Sequence, residues 1–196
     1  MFSNQSTHPT LIQHSLGINS SLLTKILLAV VGSLALWASA KVSIPFYPVP
    51  VTMQTFVVLT IGMAFGWRLG AATIMLYLAE GALGLPVFSG TPERGIGLAY
   101  MFGPTGGYLL GFLFSAITVG WLAERGWDRN VLSALAAMTI GTTIIFATGA
   151  VWLGTVIGWD KPILALGVTP FLLGAVLKIA LAAATLPFVW KLLKKK

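Results

Sequence analysis

Cysteine is absent from the 196 residues, so no disulfide framework, thiolate nucleophile or cysteine-ligated metal can be built. Histidine is nearly absent too: His8 and His14 are the 2 present, and both lie in the polar opening stretch. Charge is scarce, at 9% of residues, with 12 basic and 5 acidic side chains against 57% hydrophobic ones. Soluble domains carry about a quarter charged residues, so the polar surface needed for a soluble globule is missing. The net charge of +7 does not point to nucleic acid. Basic groups are scattered singly between apolar runs and gather only at Lys191, Lys194, Lys195 and Lys196, which is not a phosphate-tracking groove.

What is present is a series of long uncharged intervals, each bounded by charges. They predict an all-α integral membrane protein with six spans, at Leu22 to Ala40, Val51 to Phe65, Leu69 to Gly84, Thr105 to Ala123, Val131 to Ile157 and Thr169 to Trp190. Six spans of ~20 residues take ~120 positions and leave about 76 for tails and loops, which excludes a large extramembrane domain. Inside hydrocarbon every backbone amide must be bonded, and these continuous runs lack the alternation of a barrel, so the spans are helices. The second and third are short, and a membrane-embedded hairpin is the alternative for that pair. Residues 1–21 read as a polar cytoplasmic tail and residues 22–196 as the transmembrane domain. Basic residues concentrate in segments that an N-in, C-in orientation places inside: Lys25, Arg68, Arg125, Arg129 and the four terminal lysines, against Lys41, Arg94 and Lys161 outside. The longest outer connection, Leu85 to Pro104, is rich in glycine and proline, so a site open to the outside belongs beneath it.

Two charges break the boundary pattern. Lys178 falls within the last span and Glu80 within the third, both in the outer half, and a charge at that depth requires a partner or a ligand. Either the two form a structural ion pair, or Lys178 neutralises an anionic substrate with Glu80 helping to position it. The prolines of Pro45 to Pro50 fix a stiff connector, with Pro50 suited to the first turn of the second helix; as a lid it would present Tyr47, Thr52 and Gln54 to a cavity. Gly103, Gly107 and Gly111 recur every four residues, a ridge for close helix approach. Ala29, Gly32, Ser33, Ala35 and Ser39 form a small-residue strip on the first span, as suited to internal packing as to a partner. No nucleophilic serine has a histidine partner in the spans, no carboxylate cluster could hold a metal, and no Lys-Ser/Thr follows the glycines. Proteolysis, lipid phosphotransfer and an intrinsic ATPase are therefore unsupported, and the chain reads as no enzyme.

Five stretches in order carry a resemblance: Ile44-Pro45; Pro48-Val49-Pro50-Val51-Thr52-Met53-Gln54-Thr55; Tyr77-Leu78 through Gly84-Leu85-Pro86-Val87-Phe88; Gly103-Pro104-Thr105-Gly106-Gly107-Tyr108-Leu109 with Gly111-Phe112; and Pro170-Phe171 with Gly174 and Lys178. Together they span most of residues 40–190, and the chain resembles the BioY family, the biotin-binding S components of energy-coupling factor transporters. The resemblance implies an S-component bundle in a prokaryotic cytoplasmic membrane that captures biotin from outside beneath closing loops. It also implies docking on a transmembrane coupling protein and two ATPases, through the strip from Ala29 to Ser39, with no cofactor. The family often has an aspartate three residues before the last-helix lysine; here that position is Ala175, and Glu80 is the candidate replacement. Lys178 and Arg94 are the candidate cations for biotin's carboxylate, and Tyr47, Gln54, Tyr77, Tyr100 and Tyr108 the candidate polar or stacking contacts. An S component for another small vitamin and a ligand-free membrane scaffold are the competing readings.

Overall fold

The computed structural model describes residues 8–16 and 21–193. Lys194, Lys195 and Lys196, and most of the expected tail, lie outside the described residues. The elements in chain order are α1 (Leu11–Leu16), α2 (Leu22–Lys41), β1 (Ser43–Ile44), β2 (Val51–Thr52), α3 (Gln54–Ala82), α4 (Gly97–Met101), α5 (Gly106–Ala123), α6 (Val131–Ile157), α7 (Ile163–Gly167) and α8 (Thr169–Leu193). Among the described residues, five helices are long and apolar enough to cross a membrane: α2, α3, α5, α6 and α8.

The 29 residues of α3 would run about 44 Å as one straight helix. They do not, because Gly66 sits at φ 79°, ψ 173°, a conformation that only glycine adopts without strain. The chain folds back there. Gln54 Nε2 donates to the Tyr77 hydroxyl at 2.7 Å across 23 positions of sequence, which a straight helix would hold ~35 Å apart. The two legs touch backbone to backbone: a Cβ on Gly70 would lie 3.3 Å from Gly62 Cα. The second and third expected spans are thus the two legs of α3, reversed at Gly66, with the turn against Gly120 of α5, where a Cβ would lie 2.5 Å from the Trp67 nitrogen.

α5 lies between α3 and α6, α8 packs on α6 and α3, and α2 rests on α3. The small-residue strip of α2 is divided by that packing. Gly32, Ser33 and Ser39 are buried, and a Cβ on Gly32 would strike Thr73 of α3, whereas Ala29 is half-buried and Ala35 exposed. The expected start of the second span needs correction. Val51 and Thr52 pair antiparallel with Ile44 and Ser43, so Pro50 precedes a strand and closes a hairpin loop rather than opening a helix. α3 begins at Gln54, whose backbone N–H donates to Thr52 Oγ1 at 3.3 Å.

Two apolar clusters fill the bundle. One, at the β-hairpin end, includes Tyr77, Phe88, Tyr100, Tyr108, Phe112 and Ile145. The other, at the Gly66 end, includes Leu11, Leu59, Met63, Val119, Met138 and Trp190. Leu11 belongs to α1, so part of the opening stretch expected as a polar tail is packed against the bundle. The His8 backbone N–H donates to the Glu124 carbonyl at 3.3 Å, and the Arg129 guanidinium bonds the Pro9 carbonyl at 3.3 Å while lying over the Trp190 ring at 4.7 Å.

Asp128, in the loop between α5 and α6, is completely buried beside this cluster and accepts from the Trp190 indole N–H. Desolvation raises its carboxyl above the usual value, and the Trp190 bond only partly opposes this. The unfolded chain therefore gives up this proton more readily than the folded one. The folded state is favoured by this group at pH below the unfolded value, and that contribution is lost as pH rises through the raised one. Asp128→Asn, which keeps an acceptor for Trp190, is expected to unfold at a higher temperature relative to wild type at pH 7.5 than at pH 4.5. Thermal unfolding at the two pH values checks this, and a difference that shrinks as pH rises would refute it.

Candidate functional site

The cavity lies at the β-hairpin end, between β2 with the start of α3, the segment after α3, and helices α5, α6 and α8. Its wall includes Val49, Pro50, Thr52, Gln54, Thr55, Ser89, Tyr108, Phe112, Phe146, Phe171, Ala175 and Lys178, and the space in it open to a water-sized molecule is about 40 Å³. α8 contributes Phe171, Ala175 and Lys178, spaced i, i+4, i+7 and so on one face. Phe171 meets the rings of Tyr108 and Phe146 at 6.1 Å each, which gives the cavity an aromatic side. The Tyr108 hydroxyl donates to the Gly167 carbonyl at 2.7 Å, fixing that ring in place.

Lys178 is the charged residue of this wall. Its ammonium donates to the Thr52 carbonyl and to Thr55 Oγ1 at 3.2 Å, linking α8 to the β-hairpin and to α3. Both partners are neutral oxygens, so neither balances the positive charge. Glu80 is elsewhere: it accepts from the Ser33 hydroxyl of α2. The Glu80–Lys178 ion pair weighed from sequence is therefore not formed, and Glu80 does not line the cavity as a substitute for the carboxylate missing at Ala175.

Of the other candidates, Gln54 and Tyr108 line the cavity. Arg94 does not; its guanidinium donates to the Pro48 carbonyl at 3.2 Å and the Phe46 carbonyl at 3.1 Å, fastening the proline loop to the long loop after α3. Tyr47 is 82% exposed and points away. Tyr77 and Tyr100 stand behind the wall: Tyr77 receives the Gln54 amide and donates to the Val87 carbonyl at 3.0 Å, and Tyr100 donates to the Ser89 carbonyl at 2.9 Å. Sequence reasoning passed over Thr55, Ser89, Phe112, Phe146 and Phe171. The i, i+4, i+7 spacing from Phe171 to Lys178 could have found Phe171; Thr55 and Ser89 are brought in only by tertiary folding. Among the described residues no group of three or more His, Asp or Glu side chains could hold a metal ion.

Apolar helices around an internal cavity, mainly apolar and carrying one ammonium in its wall, define an integral membrane protein with a candidate binding site inside the bundle. The chain belongs to the BioY family, whose model matches residues 9–195. It is 37% identical over 168 residues to the biotin transporter BioY of Rhizobium etli, covering 82% of this chain and 87% of that one. It is 36% identical over 143 residues to the probable biotin transporter BioY of Pyrococcus horikoshii, covering 73% and 82%. Its fold matches the 2.1 Å crystal structure of the S-component for biotin from an ECF-type ABC transporter, with a TM-score of 0.74 at 22% identity over 86% of this chain and 92% of that one.

Proposed function

We propose that this chain captures biotin from outside the cell and delivers it to the cytoplasm as the S component of an energy-coupling factor transporter, with ATP hydrolysis supplied by separate subunits. The observation that carries the proposal is the Lys178 ammonium, held in an otherwise uncharged cavity wall by two neutral oxygens. Biotin's carboxylate supplies the missing countercharge, and its fused rings suit the Tyr108, Phe146 and Phe171 side. The N-in, C-in orientation puts the β-hairpin and long loop outside and the Gly66 end inside, and the two legs of α3 then make six crossings in all. Docking on a coupling protein through α2 falls to Ala35 and Ala29, since Gly32, Ser33 and Ser39 are buried. The membrane is the cytoplasmic membrane of a prokaryote, and no cofactor is needed for binding.

The direct test is thermal unfolding of the purified protein with biotin, thiamine or riboflavin. A ligand that binds only the folded state stabilises it by about 2.7 kcal/mol at a hundredfold excess over Kd. Biotin should raise the melting temperature, and the other two should leave it unchanged. A second reading, an S component for another small vitamin, is favoured by one observation: the cavity wall is apolar at Ala175, where the family often has aspartate. A rise with thiamine or riboflavin and none with biotin would establish it. The ligand-free scaffold, read with Glu80 and Lys178 paired, would gain if neither substitution changed uptake while both lowered thermal stability; the two residues have different partners, Ser33 for Glu80 and Thr52 with Thr55 for Lys178.

Arg94 acts in this scheme on the lid. Removing its two bonds to the carbonyls of Phe46 and Pro48 frees the proline loop, whose Val49 and Pro50 border the cavity. Arg94→Ala is expected to speed biotin dissociation about three- to tenfold, the effect of losing one net hydrogen bond of about 1 kcal/mol, with little change in association. Stopped-flow measurement of both rates checks this, and an unchanged dissociation rate would refute it.

A further inference from the structure

The segment after α3 is fixed more firmly than a connecting loop requires. The successive carbonyls of Val87, Phe88 and Ser89 each accept from a side chain on a different helix: Tyr77 of α3 at 3.0 Å, Lys41 of α2 at 3.1 Å and Tyr100 of α4 at 2.9 Å. The Thr91 hydroxyl adds a second bond to the Phe88 carbonyl at 2.7 Å. The Phe88 ring is held edge-on by Tyr77 at 5.5 Å and stacked on Tyr100 at 4.9 Å. Backbone and ring are thus both set.

Against this background the side chain of Ser89 is left over. The residue is 2% exposed and lines the cavity, yet its Oγ has no hydrogen-bond partner among the described residues. Burying a hydroxyl unpaired is destabilising, and among the described residues three buried hydroxyls are left so, those of Ser89, Ser115 and Thr142; of these only Ser89 belongs to the cavity wall. The neighbouring polar groups of the wall are already engaged: Gln54 with Tyr77 and Thr52, Tyr108 with Gly167, and Thr55 with Lys178.

We infer that the Ser89 hydroxyl is a ligand-binding group that hydrogen-bonds the neutral, amide-like edge of the bound molecule, the ureido group if that molecule is biotin, while Lys178 takes the acid end. A hydroxyl donates once and accepts twice, which matches an edge bearing both N–H and C=O. The uncharged, aromatic setting of Phe88 and Tyr100 offers an anion nothing that Lys178 does not offer better. The inference rests on the biotin reading above.

The test is calorimetric titration of wild type and Ser89→Ala with biotin and with biotin methyl ester, together with thermal unfolding of both proteins without ligand. Ser89→Ala should raise Kd for biotin about five- to twentyfold, raise it by a similar factor for the ester, and leave the unliganded melting temperature at or above that of wild type, because an unpaired buried hydroxyl has been removed. Wild-type affinity in Ser89→Ala would overturn the assignment and leave the biotin reading standing. A loss seen with biotin but not with the ester would place Ser89 at the acid end and overturn it as well. A lower unliganded melting temperature accompanying the loss would make the residue structural, and failure of wild type to bind biotin would remove both readings together.

Discussion

Lys178→Ala is expected to weaken biotin binding by at least tenfold, about 1.4 kcal/mol, as measured by calorimetric titration. The magnitude follows from what the ammonium does in the two states. In the unliganded protein it donates to the Thr52 carbonyl and the Thr55 hydroxyl, neutral acceptors that leave its charge unbalanced within a membrane helix. A bound carboxylate turns that into a charge-assisted pair, worth about 1.5–3 kcal/mol for a hydrogen bond to a charged group, and the half-buried position keeps the gain toward the lower part of that range. The substitution also removes a link between α8 and the β-hairpin, so the unliganded melting temperature should fall as well. Lys178→Arg separates the two effects: it keeps the charge, but its planar fork cannot reproduce the ammonium geometry, and affinity should fall between wild type and alanine. Wild-type affinity in the alanine variant would refute the assignment.

Gly66→Ala is expected to have the largest effect on stability. The glycine stands at φ 79°, ψ 173°, where a side chain carries about 1–3 kcal/mol of backbone strain. The added Cβ would also lie 2.6 Å from Glu124 Oε1 and 3.0 Å from Thr10 Cγ2, so these side chains, just after α5 and just before α1, must give way too. A fall of at least several degrees in melting temperature should follow. Gly174→Ala is the control: it lies within α8 with nothing within 4 Å of the added Cβ, and alanine is favoured over glycine in a helix by about 1 kcal/mol. If Gly66→Ala and Gly174→Ala unfold at the same temperature, the chain reversal does not depend on this glycine.

How much of this could be read in the sequence depends on what sets each feature. Span ends marked by charge and capping were legible: Val131–Ile157 was placed to the residue, and Asn130 caps it by accepting from the Leu132 N–H at 2.9 Å. The start of α3 was misplaced because Val51 and Thr52 are apolar enough to extend a span, and only pairing with Ser43 and Ile44 turns them into a strand. The packing of α1 was not legible, since Leu11 in a polar stretch gives no local sign that it will be buried. In the cavity wall, Lys178 was singled out both by its depth in the last span and by the resemblance. Arg94 and Tyr47 were drawn in by residue type, yet Arg94 ties the proline loop to the segment after α3 and Tyr47 is exposed. Ser89 carries no signal in a local window, and Thr55 stands in one of the stretches that carry the resemblance without being marked there as a site residue; the fold brings both to the wall.

The most direct measurement is a four-way comparison of biotin and its methyl ester, each bound to wild type and to Lys178→Ala. If the ammonium meets the acid end, wild type will prefer biotin to the uncharged ester by at least tenfold, and the alanine variant will bind the two alike, the difference being the coupling between the two groups. An ester penalty of equal size in both proteins would show that the carboxylate is held somewhere else.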